Sequence, residues 1–332
     1  MRMEERRGVD PRALPDDLLL ATQPVVLRGL AAHWPAVAAG RGGAHAAAEH
    51  LWRHWRGATV GVLSGPPSIG GRFFYDDTLT QLNFQRHMVK LDQVLGKLMD
   101  HLDDPEPPAV YVGSTTVDTC LPGYRAENDL GFGPREPLMS IWLGNRTRIA
   151  AHFDLPANIA VVTAGRRRFT LFPPAQAPNL YVGPLDLTPA GQPISLVDVA
   201  HPDLQRFPRY AQALEHAHVA ELEPGDAVLI PSLWWHAVDA LQPFNVLVNY
   251  WWRESPAHMD SPMATLLLAL LTLRDLPPEQ RRAWRALLDH YVFEPGEATA
   301  GHIPPPARGS LGPLDDTAAR ALRAQVLKRL NR

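Results

Sequence analysis

The sequence predicts a mainly β fold, a sandwich or small barrel, with α/β elements before it and helices after it. Between about residues 138 and 252, short apolar runs follow one another at intervals of roughly ten residues, with Gly, Pro, Asn or Asp between them. The chain also has 33 prolines among its 332 residues, which favours many turns over a helical bundle. We therefore expect the β core in the middle of the chain.

The N-terminal part mixes predicted strands and helices. The run "PVVLRGL" at 24–30 predicts a buried strand, and "AHAAAEHLWRHW" at 44–55 predicts a helix. Over 80–102 apolar residues recur at helical spacing, with Leu91, Val94, Leu95 and Leu98 on one face, which predicts a helix across that range. The run "PAVYVGSTTV" predicts a strand, and a loop follows around 121–136.

The β core is predicted to contain a series of short strands. They cover 138–144, 147–153, 158–164, 167–173, 217–222, 226–231, 236–241 and 245–252. The polar stretch 181–215 predicts an insertion or lid, and with 121–136 we expect it to shape the entrance to a site. Helices are predicted near 260–275, 278–292 and 314–331, the first being a buried helix because of "MATLLLALLTL". The predicted organisation is an extension (1–20), a core domain (21–255) and a helical region (256–332).

Composition narrows the classes of partner and compartment. The formal charge of −3 gives no basic field, so nucleic acid and anionic membrane are the least expected partners. Cys120 is the single cysteine, which excludes an intrachain disulfide and predicts a reducing compartment. The N-terminal residues contain no apolar segment typical of a secretory signal. We therefore expect a cytoplasmic protein that is not embedded in a membrane.

A possible metal site starts at "AAHFDLPANIAVV". Side chains two apart in a strand point to the same face, so His152 and Asp154 point together. His236, in the later run "LIPSLWWHAV", is a candidate third ligand. Two histidines and one carboxylate suit non-haem Fe(II). The alternative for each histidine is a hydrogen-bonded core residue.

Several segments together resemble the cupin-like JmjC family, in the branch that includes the asparaginyl hydroxylase of hypoxia-inducible factor. They are "HFD" with "GRRRFTLFPP", then "LEPGDAVLIPSLWWHAV", then "VNYWW", and the N-terminal "QPVVLRGLAAHWPA". The resemblance covers about 20–255. It implies a double-stranded β-helix (cupin or jelly-roll) and hydroxylation of a substrate with Fe(II), 2-oxoglutarate and O2. It also implies that His152, Asp154 and His236 are the catalytic iron ligands.

The resemblance extends to residues that bind the 2-oxoglutarate co-substrate. Strand alternation puts Arg167 on an apolar face, and a guanidinium can hold a carboxylate with two parallel hydrogen bonds. Similar proteins usually carry lysine there, so the pocket must differ in shape. Asn158, Asn249 and Tyr111 match residues that line the co-substrate site. Ile149 stands where the family often has Thr or Ser. The alternatives are an arginine at a solvated strand edge and asparagines satisfied by backbone.

Two other groups of residues are interpreted structurally. His50 and His54 are four apart on a predicted helix, a spacing that can bind zinc, but no acidic partner follows in sequence, and a surface helix face is the preferred interpretation. Four tryptophans could form an aromatic floor for a substrate, but core packing is the preferred interpretation; they are Trp234, Trp235, Trp251 and Trp252.

The function predicted from the resemblance is hydroxylation of a protein or peptide side chain. A small amino-acid-like metabolite is the second choice, and demethylation through hydroxylation of a methyl group stays open. Two rival classes are a metal cupin with isomerase or lyase activity and a cupin barrel that only binds. The C-terminal helices resemble the dimerising helices of related hydroxylases, which predicts a homodimer.

Overall fold

A computed structural model describes residues 3–259 and 261–331. The chain divides into two compact units, Met1–Arg253 and Glu254–Arg332. The strands of the first unit are β1 (Glu4–Arg7), β2 (Val25–Arg28), β3 (Thr59–Gly65), β4 (Arg72–Phe73), β5 (Gln85–Lys90), β6 (Ala109–Thr116), β7 (Leu138–Gly144), β8 (Arg148–Phe153), β9 (Ala157–Ala164), β10 (Arg167–Phe172), β11 (His218–Leu222), β12 (Ala227–Ile230), β13 (Trp235–Ala240) and β14 (Asn245–Trp252).

The helices of the first unit lie mostly before β7. They are α1 (Asp16–Leu19), α2 (Pro35–Arg41), α3 (Ala44–His54), α4 (Leu91–Asp100), α5 (Val117–Cys120), α6 (Tyr124–Glu127) and α7 (Tyr210–Glu215). The second unit contains α8 (Pro262–Thr272), α9 (Pro278–Leu288), a π-helical turn (Asp289–Phe293), α10 (Glu297–Ala300) and α11 (Asp316–Leu330). Among the described residues, no helix is long and apolar enough to cross a bilayer.

Two sheets form the β core. The larger has the order β1-β2-β12-β9-β14-β7-β6-β3-β5 and the smaller the order β11-β10-β13-β8-β4. Neighbouring strands are antiparallel, except for the parallel pairs β1–β2 and β4–β8. The predicted mainly β jelly-roll fold is confirmed, and each strand predicted between 138 and 252 is present.

The central strands of the large sheet are apolar on both faces because both faces are covered. On β9, Ile159 and Val161 pack with the helices and Ala160 and Val162 pack toward the small sheet. The same division recurs on β2 and β12. An apolar run without alternation, such as "NIAVV", therefore marks a strand buried on two sides. Burial of each valine or isoleucine side chain of this kind stabilises the fold by about 1.5–3 kcal/mol.

The insertion predicted at 181–215 is present and has two roles. Part of it packs on the outer face of the small sheet, where Val197, Phe207 and Tyr210 form one apolar cluster with Phe172 and Trp235. Another part, around 189–194, lines the cavity described below. The segment 121–136 does not share this second role, because its apolar residues join the helical core on the large sheet and no residue of that described segment lines the cavity.

Three predictions about helices need correction. The helix predicted over 80–102 begins only at Leu91, because Gln85–Lys90 forms the edge strand β5 paired with β3. None of the described residues of α8 is buried, and Leu271 is 75% exposed, so the predicted buried helix is exposed. A helix apolar all round needs partners on every side, and the small second unit does not supply them. The predicted surface position of His50 is also wrong, since the residue is 4% exposed.

Candidate metal and co-substrate site

The predicted site residues come together in a cavity of about 570 Å³ between the two sheets. They are Tyr111, His152, Asp154, Asn158, Arg167, His236 and Asn249, and all of them line this cavity. The histidines come from the small sheet and the asparagines from the large one, so the cavity depends on the packing of both sheets.

Strand pairing brings the two histidines together. His236 on β13 is the register partner of His152 on β8, and their ring centres are 4.3 Å apart. Asp154 is one residue past the end of β8, where its carbonyl accepts a hydrogen bond from the amide of Leu233 at 2.9 Å. One donor atom from each of His152, Asp154 and His236 lies within 4.8 Å of the donor atoms of the other two.

Hydrogen bonds fix the orientation of the three side chains. Nδ1 of His152 is 2.9 Å from the carbonyl of Ala150, and Nδ1 of His236 is 3.0 Å from the carbonyl of Trp234. Each imidazole therefore donates Nδ1–H to the carbonyl two residues before it and keeps the Nε2 lone pair free. Trp251 donates Nε1–H to Oδ2 of Asp154 at 3.1 Å.

The chemistry of these donors fits a divalent metal. Burial lowers the pKa of His236 well below its usual range, and the adjacent His152 lowers it further, so the imidazole is neutral and able to ligate. Nε2 of His236 is 3.7 Å from Oδ2 of Asp154, close enough for both to contact one ion. Two imidazoles and one carboxylate are the donor set suited to non-haem Fe(II).

Arg167 is the second prominent feature of the cavity. It is 1% exposed, and it has no carboxylate within ion-pair distance in the part of the chain that the structure describes. Its Nη2 donates a long hydrogen bond of 3.5 Å to the carbonyl of Trp142, and its Nε has no partner among the described residues. The guanidinium thus presents unused donors to the cavity.

Tyr111 lies beside that guanidinium and is itself buried. Burial raises the pKa of Tyr111 to about 12, against the opposing effect of Arg167, so the phenol keeps its proton and can donate it in a hydrogen bond. Arg167 is placed by the turn before β10, where Gly165 has φ +74° and a Cβ would collide with Asn245 and the carbonyl of Phe244. Glycine is required there.

The two asparagines form a chain of hydrogen bonds. Nδ2 of Asn249 donates to Oδ1 of Asn158 at 3.3 Å, and Nε1 of Trp142 donates to Oδ1 of Asn249 at 2.7 Å. These bonds fix both amides at the cavity wall. Ile149 also lines the cavity, and it presents an apolar surface where the family often has a hydroxyl.

Three features of the cavity depart from the preferred interpretation of the sequence or were not predicted. Core packing was preferred for Trp251 over a place at the substrate site, but this residue lines the cavity and donates a hydrogen bond to Asp154. The other three tryptophans of that group are buried, as core packing requires. Trp142 anchors Asn249. Ser114 lines the cavity with φ +38°, next to a bulge in the pairing of β6 with β7. The doublet "WW" at 251–252 could have indicated the position of Trp251. Successive side chains of a strand point to opposite faces, so one of the two rings must face the site.

A double-stranded β-helix holding two histidines and a carboxylate between its sheets has the architecture of a metal cupin. Comparison with known proteins agrees with this class. A family model described as a cupin-like domain matches residues 11–258. The chain belongs to this cupin-like JmjC family.

Individual relatives match over shorter regions. Human HSPB1-associated protein 1 is 32% identical over 164 residues, which are 47% of this chain and 33% of that protein. Lysine-specific demethylase JMJ31 of Arabidopsis thaliana is 33% identical over 129 residues, 37% of this chain and 23% of that protein. Lysine-specific demethylase 8 of Xenopus tropicalis is 26% identical over 243 residues, 71% of this chain and 49% of that protein. The chain spans half or less of the length of these curated relatives. Membership of the family supports an oxidoreductase of the oxygenase type.

Proposed function

We propose that this protein is an Fe(II)- and 2-oxoglutarate-dependent hydroxylase that acts on a side chain of a protein or peptide. The observation that carries this proposal is Arg167, a buried guanidinium with no carboxylate partner in the described residues, in the cavity that also holds the candidate iron ligands. A buried cation is costly unless an anion binds beside it. An oxoacid-dependent oxygenase needs both the metal ligands and this anion site, whereas a non-oxidative metal cupin needs only the ligands.

Each residue has a defined task in this proposal. His152, Asp154 and His236 would hold iron, and Arg167 with Tyr111 would hold the carboxylate of 2-oxoglutarate that is remote from the metal. Bound iron would supply the activation of O2 coupled to oxidative decarboxylation of 2-oxoglutarate, with release of succinate and CO2. The cavity wall is mostly apolar, which would limit access of water to the reacting atoms. This chemistry does not require a side chain that acts as a general base.

Arginine in place of the family's lysine fits the shape of the site. The guanidinium reaches the cavity from a fully buried position on β10, and its planar donors can pair with both oxygens of a carboxylate. Tyr111 supplies the hydroxyl that Ile149 cannot. Asn158 and Asn249, fixed by Trp142, present amide donors and acceptors to the same co-substrate.

Several observations support a protein or peptide as the substrate. The cavity volume lies within the range of about 300–1,000 Å³ that holds a small-molecule ligand, which leaves room for a side chain next to the oxoacid. Two relatives are named lysine-specific demethylases and a third is named for its association with HSPB1. Those names describe those proteins, and oxidation of a methyl group on a side chain would give demethylation by the same chemistry. A small amino-acid-like metabolite is the alternative substrate.

A homodimer formed through the second unit is also part of this proposal. Large apolar side chains are exposed there, and Leu267, Leu271 and Phe293 are 50%, 75% and 70% exposed. Apolar surface of this kind marks a protein interaction site. Self-association is the simplest way to cover it, in line with the resemblance of these helices to dimerising helices.

The test of the catalytic proposal is anaerobic. Metal-free protein is mixed with Fe(II) and then with 2-oxoglutarate, and a visible charge-transfer band is expected. The band should be absent in His152→Ala and weaker in Arg167→Ala, while Arg168→Ala, which changes an exposed neighbour, should behave like the wild type. Iron binding without a band would favour a non-oxidative cupin, and failure to bind any divalent metal would favour a binding module.

A further inference from the structure

A second group of metal-ligating side chains lies away from the cavity. His50 and His54 on α3 and Glu127 at the end of α6 each offer a donor atom within 4.8 Å of the other two. Helical spacing of four residues puts both imidazoles on one face of α3. Nε2 of His54 is 3.7 Å from Oε2 of Glu127, and the two imidazole rings are 5.1 Å apart between centres.

The surroundings of His50 point to a ligand that has not been accounted for. The residue is 4% exposed, and its buried Nε2 has no hydrogen-bond partner within residues 3–259 and 261–331. A buried nitrogen without a partner is destabilising unless something binds it.

The group has a wall on one side and an opening on the other. The ring of Tyr124 packs against both imidazoles, with ring centres 5.7 Å from His50 and 5.6 Å from His54. The side chain of Glu127 is 52% exposed and that of His54 is 14% exposed, so the open side faces solvent. Residues around this group, including Leu51 and Tyr124, belong to the helical core on the outer side of the large sheet, whereas the cavity lies between the sheets. The two groups are therefore separate.

We propose that His50, His54 and Glu127 form a structural site for a divalent ion of the zinc class, with water as the fourth ligand. Two imidazole nitrogens and one carboxylate oxygen are donors that zinc binds in tetrahedral geometry. The ion would give the buried nitrogen of His50 its partner and would join α3 to α6. This joins the N-terminal helices to the segment that leads into β7. The inference is independent of the proposed hydroxylase function.

The test measures zinc stoichiometry on the full chain after removal of metals with a chelator. Equilibrium dialysis with metal analysis should find two zinc equivalents in the wild type, one in the cavity and one here. Glu127→Gln and His54→Asn should each lose one equivalent, whereas Asp154→Ala should lose the other. The matched controls are Glu49→Gln and His45→Asn, which make the same changes at exposed positions of α3 and should keep both equivalents. His50 is left unchanged because a substitution at this buried position could impair folding.

Two further readouts separate ligand loss from misfolding. The Asp154→Ala variant should bind zinc only at the proposed site. Zinc at a hundredfold excess over Kd should raise the Tm of this variant by on the order of 5 °C. In the double variant with Glu127→Gln, zinc should leave the Tm unchanged, and the metal-free Tm should equal that of Asp154→Ala. Co(II) at a four-coordinate site should give a visible absorption that His54→Asn removes. The proposal is overturned if Glu127→Gln and His54→Asn bind as much zinc as their controls. It is also overturned if the wild type binds only one zinc equivalent and Asp154→Ala binds none, because the cavity would then be the single zinc site.

Discussion

Replacing Arg167 with methionine should change stability and co-substrate binding in opposite directions. The guanidinium is 1% exposed and meets no carboxylate in the described part of the chain. Burial lowers its pKa, with Tyr111 opposing this effect, which shows that the folded protein bears a desolvation cost for the charge. Methionine has a similar length, can fill the same volume and brings no charge.

The expected magnitudes follow from these contacts. Removal of a buried cation without a partner should raise the free energy of unfolding of the ligand-free protein by about 1–3 kcal/mol. Two charge-assisted hydrogen bonds to the 2-oxoglutarate carboxylate contribute about 1.5–3 kcal/mol each, so binding of 2-oxoglutarate should weaken on the order of 10²–10⁴-fold. Arg167→Lys keeps the positive charge but cannot form two parallel hydrogen bonds to the carboxylate, so we expect a 2-oxoglutarate affinity between those of the wild type and Arg167→Met.

Urea unfolding of the ligand-free protein gives the first quantity, and anaerobic titration of the metal-loaded protein with 2-oxoglutarate gives the second. Arg168→Met is the matched control, because Arg168 is the exposed neighbour that pairs with Glu221. That variant should lose at most about 1 kcal/mol of stability and should bind 2-oxoglutarate normally. The reasoning is refuted if Arg167→Met binds 2-oxoglutarate within threefold of the wild type.

Three further predictions test other parts of the structure. Trp251→Phe removes the hydrogen bond to Asp154 but keeps an aromatic ring. Iron affinity, measured by anaerobic titration, should fall about 10–100-fold. An unchanged affinity would show that Asp154 does not need this hydrogen bond to bind iron. Gly40→Ala puts a Cβ against the carbonyl of Thr163 where α2 packs on β9, and urea unfolding should show a loss of about 2–4 kcal/mol. Gly96→Ala on α4 is the matched control, because nothing lies within 4 Å of its added Cβ, and stability should stay unchanged or rise by up to about 1 kcal/mol. Leu271→Asp should convert a homodimer into a monomer in light scattering at micromolar concentration, and a monomeric wild type would contradict the dimer.

The β core and the shared orientation of His152 and Asp154 could be predicted from short-range patterns, whereas Tyr111, Asn158 and Asn249 were candidates only through the family resemblance. The i, i+2 spacing placed His152 and Asp154 together, and alternation separated Arg167 from Arg168. Partners that come from distant segments left no such pattern. The hydrogen bond from Trp251 to Asp154 joins residues far apart in the chain, so it could not be anticipated from either run alone.

The wrong predictions also have a common physical cause. The helical stripe at Leu91–Leu98 was extended backward over β5, whose residues pair at a sheet edge and therefore show no helical burial pattern. His50 was predicted to lie on the surface because the sequence of α3, taken by itself, predicts that this face of the helix is exposed to solvent. The segment containing Tyr124 packs onto that face, and this tertiary contact buries the residue. Local periodicity cannot report a neighbour that arrives from another part of the chain.

Both candidate iron-binding imidazoles are anchored to the carbonyl two residues earlier in their own strands. The anchoring needs only the extended backbone, so these hydrogen bonds would orient both ligands whether or not an ion is bound. We therefore expect the first unit to fold without its metal, in contrast to domains whose folding depends on the ion. An ion lost to oxidation or chelation can then be replaced without refolding of the chain. The supply of metals in the cell, as much as intrinsic affinity, would decide which ion occupies the site at a given time.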